Sequence, residues 1–551
     1  MANEQPGPFD RILKSTEPAE PERRDLAPVY IIGTIIGLAL LLLILVLPPI
    51  SILSGGGGSS IPSGPGVAGT YKSTVRSGMP KLPAGLVAAS ALFDLAAPAD
   101  QHGPSRITVP LKEKQSEQRN LGIYSYVDGK WQRLSDVTLV ASGAGARGDV
   151  STLPGNVAVL KRSKATLQVA GSIPAGTTLD KKAEAAITTL HPIVFIPTDA
   201  GPIVGQPPAV PPAGYRVVPA IVAPSADVVD NILRSSPVAT AHAASIADAV
   251  KQGNFAGIDV DYRSVNPQLK DRYTAFVTEL AKDLHNDGRT LTLTLPMPSN
   301  DGGTLQTGAY DWEQLGKQAD VIELAGELDQ ELYFQNTEAA LKYLTQKVDP
   351  TKLLLSISSL SVERGGDGLR TMALNDAFAR ASIVSVKSTG EIAPGAQVQL
   401  VAQNLAQSEA ASGMHWDDQS RSVTFSYPGR GGKRTVWVAN QFSGAFRLEL
   451  AQRYGLGGVA INDVSTEGGG GDVWAPVQQL SDTGNLTLAR PNGQLLTPTW
   501  SVTDGTISPQ SGDTATWSAP AKAGTYDVVL IVSDGVVRAG QQVTLDVVAG
   551  Q

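Results

Sequence analysis

Cysteine is absent from the 551 residues. Disulfides, thiolate nucleophiles and cysteine-ligated zinc or iron–sulfur sites are therefore excluded together. Histidine is scarce: His102, His191, His242, His285 and His415 are scattered, with no H-x-x-x-H or H-x-H spacing. No histidine-rich metal site and no cofactor is expected, and each histidine reads as an ordinary surface or core residue. Charged residues make up 17% of the chain, below the ~25% of an average globular domain. There is no excess of positive charge, since 44 basic side chains face 52 acidic ones for a net −8. A polyanionic partner has nothing to hold, so nucleic acid is not an expected partner.

What the chain has in quantity is glycine and proline, 57 and 37 residues, which suits loop-rich β domains and linkers. At roughly 150 residues per domain, the length implies three or four domains. No charged residue occurs from Leu26 to Tyr71, and Ala27 to Leu47 is almost wholly apolar. At ~1.5 Å per helical residue, the apolar run through Leu53 can cross a ~30 Å hydrocarbon core. A transmembrane helix is expected over 26–53, with the lipid bilayer as its partner. Arg23 and Arg24 precede it and the first basic residue after it is Lys72. The positive-inside bias then puts residues 1–25 in the cytoplasm and the bulk of the chain outside a plasma membrane crossed once. Residues 54–68 read as a flexible Gly/Ser/Pro linker.

Residues 69–165 contain short β-branched and aromatic runs such as LGIYSYV (121–127) and KWQRL (130–134), joined at Asp128-Gly129, a strong hairpin signal. They predict a β-sandwich-like module. From 166 to 480 strands alternate with helices. Apolar runs stand at 165–171, 191–197, 215–223, 256–262, 290–296, 319–325, 352–359 and 457–463, with amphipathic segments between several of them. Eight such runs predict a parallel (β/α)8 TIM barrel, and the strand-rich stretch about 385–445 reads as an insertion before the last strand. Residues 481–551 alternate without helical periodicity and predict a C-terminal immunoglobulin-like β-sandwich.

In such barrels the working side chains stand at the carboxyl ends of the strands. The fourth run, NFAGIDVDYR (Asn254 to Arg263), resembles the fourth strand of glycoside hydrolase family 18, which carries D-G-x-D-x-D-x-E. The branch it is most similar to is the one with spore-germination and peptidoglycan-cleaving proteins. The resemblance extends through the segment 266–285, TLTLTLP (290–296) and RLELAQRYGLGGVAI (447–461). It implies a barrel fold and a substrate containing N-acetylglucosamine, chitin or peptidoglycan. In that family the glutamate protonates the leaving oxygen, and the aspartate beside it steers the substrate's own N-acetyl group.

Aligned on this motif, the first acid is Ala256, Asp259 and Asp261 are kept, and the glutamate is Arg263. A guanidinium with a pKa above ~12 cannot act as a general acid near neutral pH. Two further positions depart. The sixth strand reads Leu324-Ala325-Gly326-Glu327 where the family has Met-x-Tyr-Asp, and Asn462 stands where the eighth strand presents a tryptophan floor. Relocated catalysis would require Glu327 with Asp261 and Asp259. Asp261 and Arg263, two residues apart on one strand, face the same side and can pair. For sugar binding, aromatic side chains amount to 5% of the chain, and Trp312, Trp416, Trp437 and Trp474 are the tryptophans of the barrel region. Arg263, Asn462, Trp474 and Trp312 are the candidate binding residues, and the loop Thr466 to Trp474 is a candidate cover. The expected function is a membrane-anchored, catalytically degenerate family-18-like protein that binds envelope glycan or acts as a scaffold for other envelope proteins. The alternatives are an active atypical glycosidase and a structural interaction stalk.

Overall fold

The computed structural model describes residues 59–61 and 71–549, apart from 83–85, 97–104, 117, 119–120, 151, 163–166, 207–213, 302–303, 389 and 467–472. The apolar stretch 26–53 and the tail 1–25 lie outside the described residues. Among the described residues no helix is long and apolar enough to cross a membrane. The longest of them, Ser236–Gln252 and Lys270–Asn286, have 17 residues each, about 25 Å at 1.5 Å per residue, and carry charge along their outer faces. The expected single-pass plasma-membrane placement, with the bilayer as partner, is corrected on this finding.

Eight parallel strands close into a barrel: β1 (Gln168–Pro174), β2 (Thr189–Pro197), β3 (Ala220–Val222), β4 (Gly257–Asp261), β5 (Thr290–Pro296), β6 (Val321–Ala325), β7 (Leu353–Ser358) and β8 (Gly458–Asn462). The ring is sealed where β1 pairs with both β8 (Val169↔Val459) and β2 (Ala170↔Thr189). Strands buried on both faces read as unbroken apolar runs, and β5, β7 and β8 are buried along almost their whole length. Among the described residues the α-helices in chain order are α1 (Lys181–Ala186), α2 (Ala226–Arg234), α3 (Ser236–Gln252), α4 (Lys270–Asn286), α5 (Trp312–Gln318), α6 (Tyr333–Lys347), α7 (Leu374–Ala381), α8 (Gln441–Arg453) and α9 (Trp474–Thr483). Along α4 the buried residues Tyr273, Phe276, Val277, Leu280, Ala281 and Leu284 recur at helical spacing and face the barrel. On β5 the alternation sends Leu291, Leu293 and Leu295 into that helix-facing core. It leaves Thr292 and Thr294 toward the barrel axis.

Between β7 and β8 the chain builds a five-stranded antiparallel sheet from 361–365, 368–372, 415–417, 422–429 and 432–438. Two further strands of this insertion, Val384–Lys387 and Gln397–Ala402, turn away and continue into Thr514–Ser518 and Thr506–Ser508. The opposing sheet is Thr499–Val502, Gly524–Ser533 and Arg538–Val547. One hydrophobic core holds Phe378, Leu400 and Phe425 of the insertion with Trp500, Trp517 and Leu530 of the C-terminal region. The C-terminal strands therefore share a sandwich with the insertion.

The N-terminal β module has its own core, centred on Ile107, Ile123 and Val157. Its hairpin turns at Asp128 (φ 50°) and Gly129 (φ 80°), the paired positive dihedrals that a two-residue turn of matching twist requires. Arg133 Nη2 donates to the Arg453 carbonyl at 2.8 Å, so this module sits where α8 ends and the chain enters β8, at the side opposite the barrel mouth.

Candidate functional site

Alternation along β4 puts Ile258, Val260 and Tyr262 toward the helices and Asp259, Asp261 and Arg263 toward the barrel axis. The segment beyond the strand is held from the helix side. Tyr262 Oη pairs with His242 Nε2 at 2.7 Å, the Tyr310 hydroxyl donates to the Tyr262 carbonyl at 2.8 Å, and the Asn266 amide donates to Asp230 at 3.0 Å. His242 lies in this buried aromatic stack, and burial lowers its pKa.

Arg263 turns back on its own strand. Its Nε donates to Asp261 Oδ1 at 2.6 Å and its Nη2 to Oδ2 at 2.5 Å, a bidentate fork. The Arg263 side chain is 45% exposed and that of Asp261 11%. The pair therefore caps the barrel interior at the mouth. Burial pushes the Asp261 carboxyl above its ordinary value, against the opposing pull of Arg263. Burial also opposes the Arg263 charge, yet the fork to Asp261 outweighs it and its pKa rises further.

Below the fork, Asp259 accepts from the Thr294 hydroxyl at 2.9 and 3.1 Å. His191 of β2 places Nε2 3.2 Å from Glu323 Oε1 of β6, and its Nδ1 lies 2.8 Å from the Val218 carbonyl. His191, Asp259 and Glu323 are all buried. Burial alone would lower the His191 pKa, but Glu323 and then Asp259 overcome it and push it up to about 9. Burial, together with Glu323 and Asp261, pushes Asp259 up to about 8 despite the nearby imidazole. A barrel interior that the apolar runs portray as hydrophobic thus contains an ionic cluster reaching to the mouth.

His191 and Glu323 were not among the candidate site residues. The available signal is a single ionisable residue inside a continuously apolar parallel-strand run, HPIVFIP and VIELA. Such a residue is too costly to bury without a partner on another strand.

The other candidates are dispersed. Glu327 is half-buried and engaged locally: its Oε1 accepts from the Asp329 amide at 2.9 Å and its Oε2 from Asn336 Nδ2 at 2.8 Å. The carboxylate beside Asp259 and Asp261 is Glu323. Asn462 ends β8 half-buried, its carbonyl 3.3 Å from the Ser359 hydroxyl. Trp312 and Trp474 are only 2% and 8% exposed and pack in the barrel core, so neither offers a ring face to a sugar. Trp437 is likewise buried, and Trp416 lies 5.7 Å from Phe446. Most of the candidate cover, 467–472, lies outside the described residues. Among the described residues no group of three or more His, Asp or Glu is arranged to hold a metal ion.

The model of glycosyl hydrolases family 18 matches residues 231–467, from α2 to just beyond β8. A curated relative, "Uncharacterized glycosylase YvbX" of Bacillus subtilis (strain 168), is 21% identical over 228 residues, 39% of this chain and 59% of its own length. The chain therefore spans less than two thirds of that relative. Among solved structures, a chitinase from Chromobacterium violaceum ATCC 12472 is 19% identical with a TM-score of 0.45, covering 57% of this chain and 98% of that one. The spore cortex-lytic enzyme SleL of Bacillus megaterium QM B1551 is 16% identical with a TM-score of 0.43, covering 59% and 77%.

Proposed function

We propose that this family-18 domain binds an N-acetylglucosamine-containing envelope glycan, of chitin or peptidoglycan type, without cleaving it. The observation that carries the reading is Arg263 at the carboxyl end of β4, forked onto Asp261. Proton donation to a leaving oxygen needs a group that titrates near the working pH. A guanidinium does not, and its fixed positive charge opposes an oxocarbenium-like transition state. Loss of general-acid catalysis forfeits on the order of 10²–10⁴ in rate. The family match supports a glycan as the ligand class. The half-exposed guanidinium supplies donors suited to sugar oxygens.

A second reading, hydrolysis with displaced acids, draws on Asp261, a mouth carboxyl whose pKa is raised by burial. One experiment separates the two. The full chain is incubated with chitin and with purified peptidoglycan, and retention and release of reducing ends are measured in the same tubes. Retention without turnover is the expected result. Turnover that disappears in an Asp261→Asn, Glu327→Gln variant establishes hydrolysis. Neither retention nor turnover leaves a scaffold for other envelope proteins.

A further inference from the structure

The cluster beneath the mouth contains an odd carboxyl. His191 Nδ1 faces a carbonyl, which can only accept, and Nε2 faces the Glu323 carboxyl. The imidazole and Glu323 therefore form a contact that is neutral as a unit, whichever side holds the proton. Asp259 stands beside that unit, 5% exposed, with the Thr294 hydroxyl as its hydrogen-bond partner. Among the described residues the guanidinium that feels Asp259, Arg263, is already forked onto Asp261. An isolated buried charge is expensive, and a carboxyl so placed neutralises instead. The groups that bear on Asp259 are His191 on β2, Glu323 on β6 and Asp261 with Arg263 above it on its own strand. From the helix side the buried tyrosines Tyr273 and Tyr310 face this strand.

We propose that Glu323, held by His191, is a positioning residue for the mouth: it keeps a proton on Asp259, and that proton sets the charge that Asp261 and Arg263 present to a ligand. With the proton in place, His191–Glu323 is neutral, Asp259 is neutral and the Asp261–Arg263 fork is neutral. Once it leaves, two carboxylates on one face of β4 share a single guanidinium, and the mouth carries one negative charge. Coupling is reciprocal, so whatever engages the outer edge of Arg263 also shifts the proton affinity of Asp259. The ligand part of this inference rests on the glycan reading, whereas the coupling between Asp259 and Arg263 does not.

The test uses the full chain and needs no ligand for its first arm. The carbonyl-stretch infrared band of a protonated carboxyl is followed from about pH 6 to pH 10 in the wild type and in three variants. A band at neutral pH that Asp259→Asn removes, and that titrates near the value of about 8 given by its surroundings, is expected. Arg263→Gln should raise its midpoint by about one unit and Glu323→Gln should lower it by a similar amount, since a cation and an anion act oppositely. A purely structural role for these residues does not produce opposite shifts. Absence of such a band, or a common midpoint in all three proteins, overturns the proposal. In the second arm, retention on chitin or peptidoglycan should fall about threefold or more between pH 7 and 9 in the wild type and stay level in Asp259→Asn. Equal profiles in the two overturn control of the mouth. No retention at any pH removes the glycan reading alone, and the midpoints still decide the coupling.

Discussion

Asp259 in the barrel and Glu363 in the insertion are both buried acids, at 5% and 0% exposure, and they are driven in opposite directions. Asp259 shares its interior with a second carboxyl and one imidazole, and its pKa rises. Around Glu363 stand the Tyr427 hydroxyl and the guanidiniums of Arg370, Arg380 and Arg434, the last with Nη1 at 2.9 Å. Burial works against this charge too, but the bonds from Tyr427 and Arg370 and the field of Arg380 outweigh it and hold the carboxyl below its usual range. The lesson is that burial alone does not decide the state of a carboxyl; the sign and number of its neighbours do. Function follows the same division. Glu363 ties together its own strand, 368–372, α7, 422–429 and 432–438, whereas Asp259 ties little and keeps its proton close to the mouth.

The contrast can be broken in several places. Removing residues 499–551 should have the largest effect, because Gln397–Ala402 loses Thr514–Ser518, one of its two partner strands, and Leu400, Phe378 and Phe425 lose the apolar side chains that Trp500, Trp517 and Leu530 contribute to their core. Amide exchange should then show the insertion unprotected while β1 to β6 stay protected; an insertion that remains protected shows that it folds without the C-terminal strands. Glu363→Gln should cost about 1.5–3 kcal/mol in urea unfolding, since it weakens the charge-assisted bonds to the buried Arg434 and to the partly exposed Arg370 and Arg380. A loss below about 1 kcal/mol would mean that the cluster is solvated and the comparison with Asp259 is void.

The pH dependence sharpens the same point. His191 and Asp259 bind protons more tightly folded than unfolded, so the stability they contribute is complete at low pH. It is lost as pH rises through about 8 and about 9. For His191 alone, a shift from 6.5 to about 9 corresponds to on the order of 3 kcal/mol between those limits. Glu363 has the opposite sign. Its contribution is present above the ordinary carboxylate range and lost as pH falls through its lowered folded value. Unfolding midpoints at about pH 7 and pH 9.5 should therefore drop in the wild type and much less in a His191→Gln, Asp259→Asn variant. The smallest effect is expected from Asp259→Asn alone at about pH 4, within about 1 kcal/mol, because the amide there replaces a carboxyl that is largely neutral in both the folded and the unfolded chain. A loss as large as that of Glu363→Gln would show Asp259 to be ionised.

Much of the barrel was legible because each strand announces itself locally. GIDVD, TLTLTLP and KLLLSISS are short apolar runs, and each forms one strand of the ring. The Asp261–Arg263 pair was legible for the same reason, since residues two apart in an extended segment share a face. The burial of Trp312 and Trp474 was not legible, because composition gives residue types and not exposure. The C-terminal strands could not be assigned from their own alternation. Their partners at 397–402 lie more than a hundred positions away, and strand alternation is the same whether the neighbouring strand is near or far in sequence.

The amino-acid sequence by itself determined the kinds of element, the order of the eight strands, and the placing of a guanidinium, Arg263, two positions after Asp261. Those properties follow from periodicity and residue chemistry within a few positions. Tertiary structure alone decided that the insertion and the C-terminus form one sandwich, that both candidate tryptophans are buried, and that His191 meets Glu323 beneath Asp259. Those outcomes depend on distances through space between residues remote in sequence. Coulomb and desolvation energies are set by such distances and by the depth of burial.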